Sequence, residues 1–199
     1  MNTTINILKD KTFIRFVIKF ILIFSFCYFG TLAIIGLAAP GGYYSVVIDT
    51  YFDYVSGIKN ALIAGTRGIL GLFNIHTYTV PGFIVRIVNG TGVMIAYDCV
   101  GYGVMSFWAA YVISSSGKGS SKIIWTLTGF LILFIINVIR ISLLLVAFNK
   151  HWAMPMGLNH HTWFNIVAYI AIFIMIYFFD RRLKVTTISH VRPVITPGT

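Results

Sequence analysis

The chain has 199 residues, 58% of them hydrophobic and only 10% charged, with 15 Lys and Arg against 5 Asp and Glu for a formal net charge of +10. That balance excludes an ordinary water-soluble domain, in which about 25% of residues are charged. It also argues against a nucleic-acid partner, because the basic residues flank apolar runs and form no solvated basic face.

Apolar runs close to the ~20 residues that cross a ~30 Å hydrocarbon core recur along the chain. The first covers 13–39, with Lys9, Lys11, Arg15 and Lys19 at its start and Pro40-Gly41-Gly42 at its end. It is too long for a removable signal peptide and lacks a small-residue cleavage site. Residues 44–73 then carry a helical pattern in which Asp49, Asp53, Ser56, Asn60 and Arg67 fall on one narrow stripe. Such a helix is expected to lie in the membrane interface with its stripe towards water. A crossing is the alternative, but it would move the basic loop 117–122 to the outer side. Next, Thr77-Tyr78-Thr79-Val80, Pro81-Gly82, a β-branched run, Asn89-Gly90 and a second such run read as short strands joined by tight turns, a small β-hairpin.

Three more spans are expected at 100–116, 123–148 and 163–179, the last closed by Asp180-Arg181-Arg182-Leu183-Lys184. The positive-inside rule places the N-terminus, the loop with Lys118 and Lys122, and the final basic cluster on one side. The expected fold is therefore an integral membrane all-α protein. It has four transmembrane helices, an extracytoplasmic amphipathic helix and the hairpin. One membrane-embedded domain covers 1–184, followed by a disordered cytoplasmic tail at 185–199. The implied location is a cytoplasmic membrane, with both termini inside and the lipid bilayer as a partner.

This threading brings Cys99, Arg140 and His161 to the outer surface. A thiol, a guanidinium and an imidazole supply a nucleophile, a stabiliser of negative charge and a base, the parts of a covalent acyl transfer. Cys99 sits where the second span begins, with Asp98 as a candidate N-cap and the positive end of a helix dipole beside the thiol. Arg140 lies late in the third span, about 26 Å along the helix from Ile123, with Asn137 one turn earlier on the same face. An arginine in an apolar run is by default a functional-site hypothesis. His161 opens the fourth span, and His160 is its rival as base. Cys27, deep in the first span, reads as a small buried hydrophobe, so no disulfide is expected. A zinc site from His151, His160 and His161 lacks a supporting motif. No metal or cofactor is expected.

Cys99-Val100-Gly101 opening a span, Asn137-x-x-Arg140-Ile141 late in the next and His161 at the start of the one after resemble the exosortase/archaeosortase family of prokaryotic membrane transpeptidases, in which Cys-Ser-Gly, Asn-x-x-Arg and His occur in that order. The resemblance covers about residues 80–179. Val100 stands for the usual serine, Asn165 for a common glycine, and the chain is shorter than many-span members. The resemblance implies cleavage of C-terminal sorting signals on exported proteins by a cysteine transpeptidase, with Cys99, Arg140 and His161 catalytic and a thioester passed to an acceptor. The competing class is a non-catalytic membrane subunit or an anion-binding membrane protein.

Overall fold

The computed structural model describes residues 11–39, 43–152 and 160–189. It is mostly helical, with one small sheet. Helix α1 (Lys11–Ala38) is followed by the short α2 (Val46–Tyr51) and by α3 (Tyr54–Leu72). Strands β1 (Thr77–Val80), β2 (Ile84–Ile87) and β3 (Gly92–Met94) lead into a 3₁₀ turn, Tyr97–Val100, and then α4 (Tyr102–Ser114), α5 (Gly119–Asn149) and α6 (His160–Ser189).

Among the described residues, α1 and α5 are long and apolar enough to cross a membrane. The expected span at 100–116 is corrected by the structure to the 13 residues of α4. That is ~20 Å of helix, short of a ~30 Å core. Gly101, at φ +76, puts a left-handed residue between the 3₁₀ turn and α4, and Ser115 returns to extended backbone at the other end. Among the described residues the structure thus has two helices of spanning length, a short apolar α4, and α6, which contains the expected span 163–179. Helix α6 also continues to Ser189, so residues 185–189, expected in a disordered tail, are helical. No proline falls between His160 and Ser189, and the next in the chain is Pro193. The tail at 190–199 lies outside the described residues.

The single helix expected over 44–73 is broken in two. Asp53 accepts a hydrogen bond from the Ser56 backbone N–H at 3.0 Å and so caps a new helix start. The polar stripe survives the break: Asp49, Asn60 and Arg67 are exposed, and Asp53 and Ser56 half-buried. The hairpin is extended to a three-stranded antiparallel meander of order β1-β2-β3. Thr77 pairs with Ile87 and Val80 with Ile84, then Ile84 pairs with Met94 and Arg86 with Gly92. Both turn dipeptides do what their chemistry suggests, with Gly82 at φ +87 and Asn89 at φ +59.

Two buried clusters share α5. Its first half packs Leu133 with Trp108 and Val112 of α4 and Ile172, Met175 and Phe179 of α6. Its second half packs Val138, Ile141, Leu144 and Leu145 against Leu62, Ile63 and Leu70 of α3, the sheet residues Val85 and Val93, and Cys99. An aromatic ladder joins α1 to α4: Phe16 meets Tyr111, Phe20 meets Phe107 and Tyr28 meets Tyr102, with ring centroids 5.9, 5.3 and 5.5 Å apart. Ascending positions on α1 meet descending ones on α4, so the two helices are antiparallel. Tyr111 also donates to Asp180 at 3.0 Å, and Lys122 Nζ to the Ile113 carbonyl at 2.9 Å. These contacts gather the basic ends of α1, α5 and α6 at one pole. The sheet and the Cys99 turn occupy the other. Between the poles the helices present apolar residues outward, among them Ile18, Leu22, Phe26 and Phe29 on α1 and Leu127, Leu131, Ile135, Ile139 and Leu143 on α5.

Candidate active site

Cys99 is delivered by the sheet. The Ile95 N–H donates to the Phe83 carbonyl at 2.9 Å, the Ala96 N–H to Met94 at 3.2 Å and the Cys99 N–H to Ala96 at 3.0 Å. Four residues separate Met94, the last strand residue, from the cysteine, and the N–H groups of Ile95, Ala96 and Cys99 are tied down in this way. Cys99 is 7% exposed, inside the 3₁₀ turn. The expected N-cap role of Asp98 is corrected: Asp98 is exposed, and the residue at the N-cap of α4 is Gly101, which has no side chain to cap with. The α4 dipole therefore starts beyond the thiol, because the left-handed Gly101 separates the two.

Helix α5 supplies the cation. Asn137 and Arg140, one turn apart, face the Cys99 turn. Asn137 is 1% exposed, and its Nδ2 donates to the Cys99 carbonyl, satisfying a buried acceptor. Its Oδ1 accepts from Arg140 Nη1 at 3.4 Å, while Arg140 Nη2 stands 4.0 Å from Cys99 Sγ. One amide thus fixes both the backbone of the cysteine and the orientation of the guanidinium. A half-buried guanidinium aimed at a sulfur is not snorkelling to a surface. It is placed to stabilise a thiolate, or an oxyanion forming beside it.

The structure brings together Cys99, Asn137 and Arg140 of the expected set. His160 and His161 open α6, but their side chains lie outside the described residues. His151 is exposed in the turn after α5. Among the described residues no three of His, Cys, Asp and Glu gather as a metal-holding group. Cys27 is half-buried in α1, and its carbonyl accepts from Thr31 Oγ1 at 2.7 Å.

Two residues that the sequence reading passed over, Lys59 and Asn149, also shape this pole. Lys59 of α3 is 3% exposed, and its ammonium sits 3.2 Å from the centre of the Tyr97 ring and 4.7 Å from that of Phe83. Burial pushes Lys59 below the ordinary lysine range, while the charges of Asp53 and Cys99 act the other way. It falls on the buried, mostly apolar face of α3 with Val55, Leu62, Ile63, Thr66 and Leu70. Asn149, at the end of α5, accepts from the Thr91 N–H at 2.7 Å and donates to the Leu145 carbonyl at 2.8 Å, pinning the β2–β3 turn to the helix. Two cavities flank the Cys99 turn. One of about 520 Å³ carries Tyr44, Asp49, Asp53 and Ser56 together with Phe83 and Tyr97. The other, of about 530 Å³, is lined by Phe24, Tyr28, Tyr102, Phe107 and Tyr169, with Asp98 and Asn165 as polar members.

In comparison with known proteins, no family model, no curated protein and no solved structure matches the chain.

Proposed function

We propose that the chain is a membrane-embedded cysteine transpeptidase of the exosortase/archaeosortase kind, acting on C-terminal sorting signals of exported proteins. The observation that carries this reading is the 4.0 Å approach of Arg140 Nη2 to Cys99 Sγ, with Asn137 holding both groups. The membrane setting is supported by the two long apolar helices and by apolar stripes facing outward, which a soluble chain rarely tolerates. The three basic ends sharing one pole support the proposed threading of four passes, with both termini in the cytoplasm of a prokaryote.

In the proposed reaction the Cys99 thiolate attacks the carbonyl carbon of the scissile peptide, and the carbonyl electron pair moves onto oxygen beside Arg140. Collapse reforms the carbonyl and breaks the C–N bond. The leaving amine takes a proton from the histidine, for which His161 is proposed and His160 is the alternative. The thioester then passes to an acceptor amine or water, which gives up its proton to the same base as the thiolate leaves. The aromatic cavity between α1, α4 and α6, with Asp98 at its polar end, offers a place for the apolar segment that follows the scissile bond. A non-catalytic, anion-binding subunit would leave the cysteine in this arrangement without a use.

The test is capture of the intermediate. Co-expression with an exported protein ending in a short motif, an apolar helix and a basic cluster should give a hydroxylamine-labile adduct on Cys99, absent in Cys99→Ala. Unchanged processing in Cys99→Ala would overturn the reading.

A further inference from the structure

We propose that Lys59 is a positioning residue of this site: a second fixed cation that, from the side of α3, stabilises the Cys99 thiolate facing Arg140 on α5. This inference rests on the reading of Cys99 as a nucleophile. The geometry starts from the burial of Lys59, which at 3% exposure is among the most enclosed charged groups of the described residues. Lysines are almost never fully buried unless paired. Here the ammonium lies over two ring faces, those of Tyr97 and Phe83. Cation–π attraction keeps the charge desolvated and fixed in position. Tyr97 belongs to the same four-residue turn as Cys99, and Phe83 holds the segment leading to it through its carbonyl. Leu62 and Ile63, one turn beyond Lys59, are in the same buried cluster as Cys99.

Titratable and charged groups lie on each element packed around α3. Asp53 lies on α3 itself; Tyr97, Asp98 and Cys99 lie on the turn; Tyr78 on β1 and Arg86 on β2 are both exposed; Arg140 lies on α5. Of the acidic members, Asp98 is exposed, while Asp53, the half-buried cap of α3, acts on Lys59 together with Cys99. Cys99, by contrast, is buried, so its sulfur, once ionised, is a buried anion beside the half-buried Arg140 and on the turn whose Tyr97 ring carries the Lys59 ammonium. A buried positive charge is otherwise a liability, and a methionine would pack there at least as well. Its use is therefore electrostatic. The Tyr97 ring bridges the two roles, since it holds the ammonium on one helix and belongs to the backbone that carries the thiol.

The experiment is the pH profile of Cys99 alkylation, measured on the full-length protein in membranes with Cys27→Ala as background. Lys59→Met keeps the stem and removes the charge, and Lys59→Arg keeps the charge. The methionine variant should move the alkylation midpoint upward by on the order of one pH unit, as expected for loss of a nearby opposite charge. Below the midpoint alkylation should slow roughly threefold, because about tenfold less thiolate is partly offset by its greater nucleophilicity. The arginine variant should keep the midpoint, and thermal stability should hold in both. An unchanged midpoint in Lys59→Met overturns the proposal. So does an equal shift in Lys59→Arg, which would make the ring packing, not the charge, the cause. Lys59→Gln decides in the same way if the methionine variant fails to accumulate. Failure of the underlying reading looks different: the alkylation midpoint would still respond to Lys59, while Cys99→Ala left precursor processing intact.

Discussion

Arg140 reaches Cys99 through a planar fork, with one nitrogen on Asn137 and the other towards the sulfur. Lysine keeps the charge but loses that two-pronged geometry. Arg140→Lys should therefore lower processing of the sorted precursor by about 100- to 1,000-fold, the usual effect of losing a preorganised oxyanion donor. Membrane abundance should stay near that of the parent, because lysine also extends an apolar stem along its surroundings. Near-normal processing by this variant would make Arg140 a structural anchor. Cys99, Asn137 and Arg140 were legible in the sequence because a guanidinium and an amide one turn apart in an apolar run are costly anomalies. Lys59 was not. The polar stripe on the opposite face of α3 drew the reading, and one lysine on the apolar face reads as noise until Tyr97 and Phe83 are seen against it.

At the scale of elements, α4 and α5 approach over Gly129. A β-carbon built there would lie 1.9 Å from Trp108 Nε1, a rigid and fully buried ring whose N–H donates to the Trp125 carbonyl at 3.1 Å. Gly129→Ala should destabilise the protein by about 1–3 kcal/mol through overpacking. Gly68→Ala, in open space on α3, should be neutral or stabilising by up to ~1 kcal/mol through helix propensity. Melting temperatures in detergent would compare the two, and equal values would refute the close packing. Helix existence was legible from apolar runs, and both turns from their dipeptides. Breaks were harder to see. Asp53 and Gly101 end or divide helices through a cap and a left-handed backbone, local chemistry that leaves the hydrophobic period on either side untouched. Asn149 was invisible for a different reason: its partner, Thr91, lies 58 residues away in sequence.

For the whole molecule, the polarity of the bundle predicts its orientation. A reporter fused after Gly119 should read cytoplasmic and one inserted near Gly90 extracytoplasmic. A cytoplasmic signal at Gly90 would make α3 a crossing helix and separate the proposed active face from exported substrates. The two poles also fix a length. Helix α5 is one uninterrupted rod of 31 residues, anchored at one end by Lys122. The eighteen residues from Lys122 to Arg140 amount to ~27 Å of rise. Set in a ~30 Å hydrocarbon layer, with Lys122 at the inner headgroups, that length holds the guanidinium and the sulfur just beneath the far surface. The chain then works as a ruler. Under the proposed function, this rod would set where a peptide is cut, relative to the end of its own apolar helix, against the thickness of the bilayer.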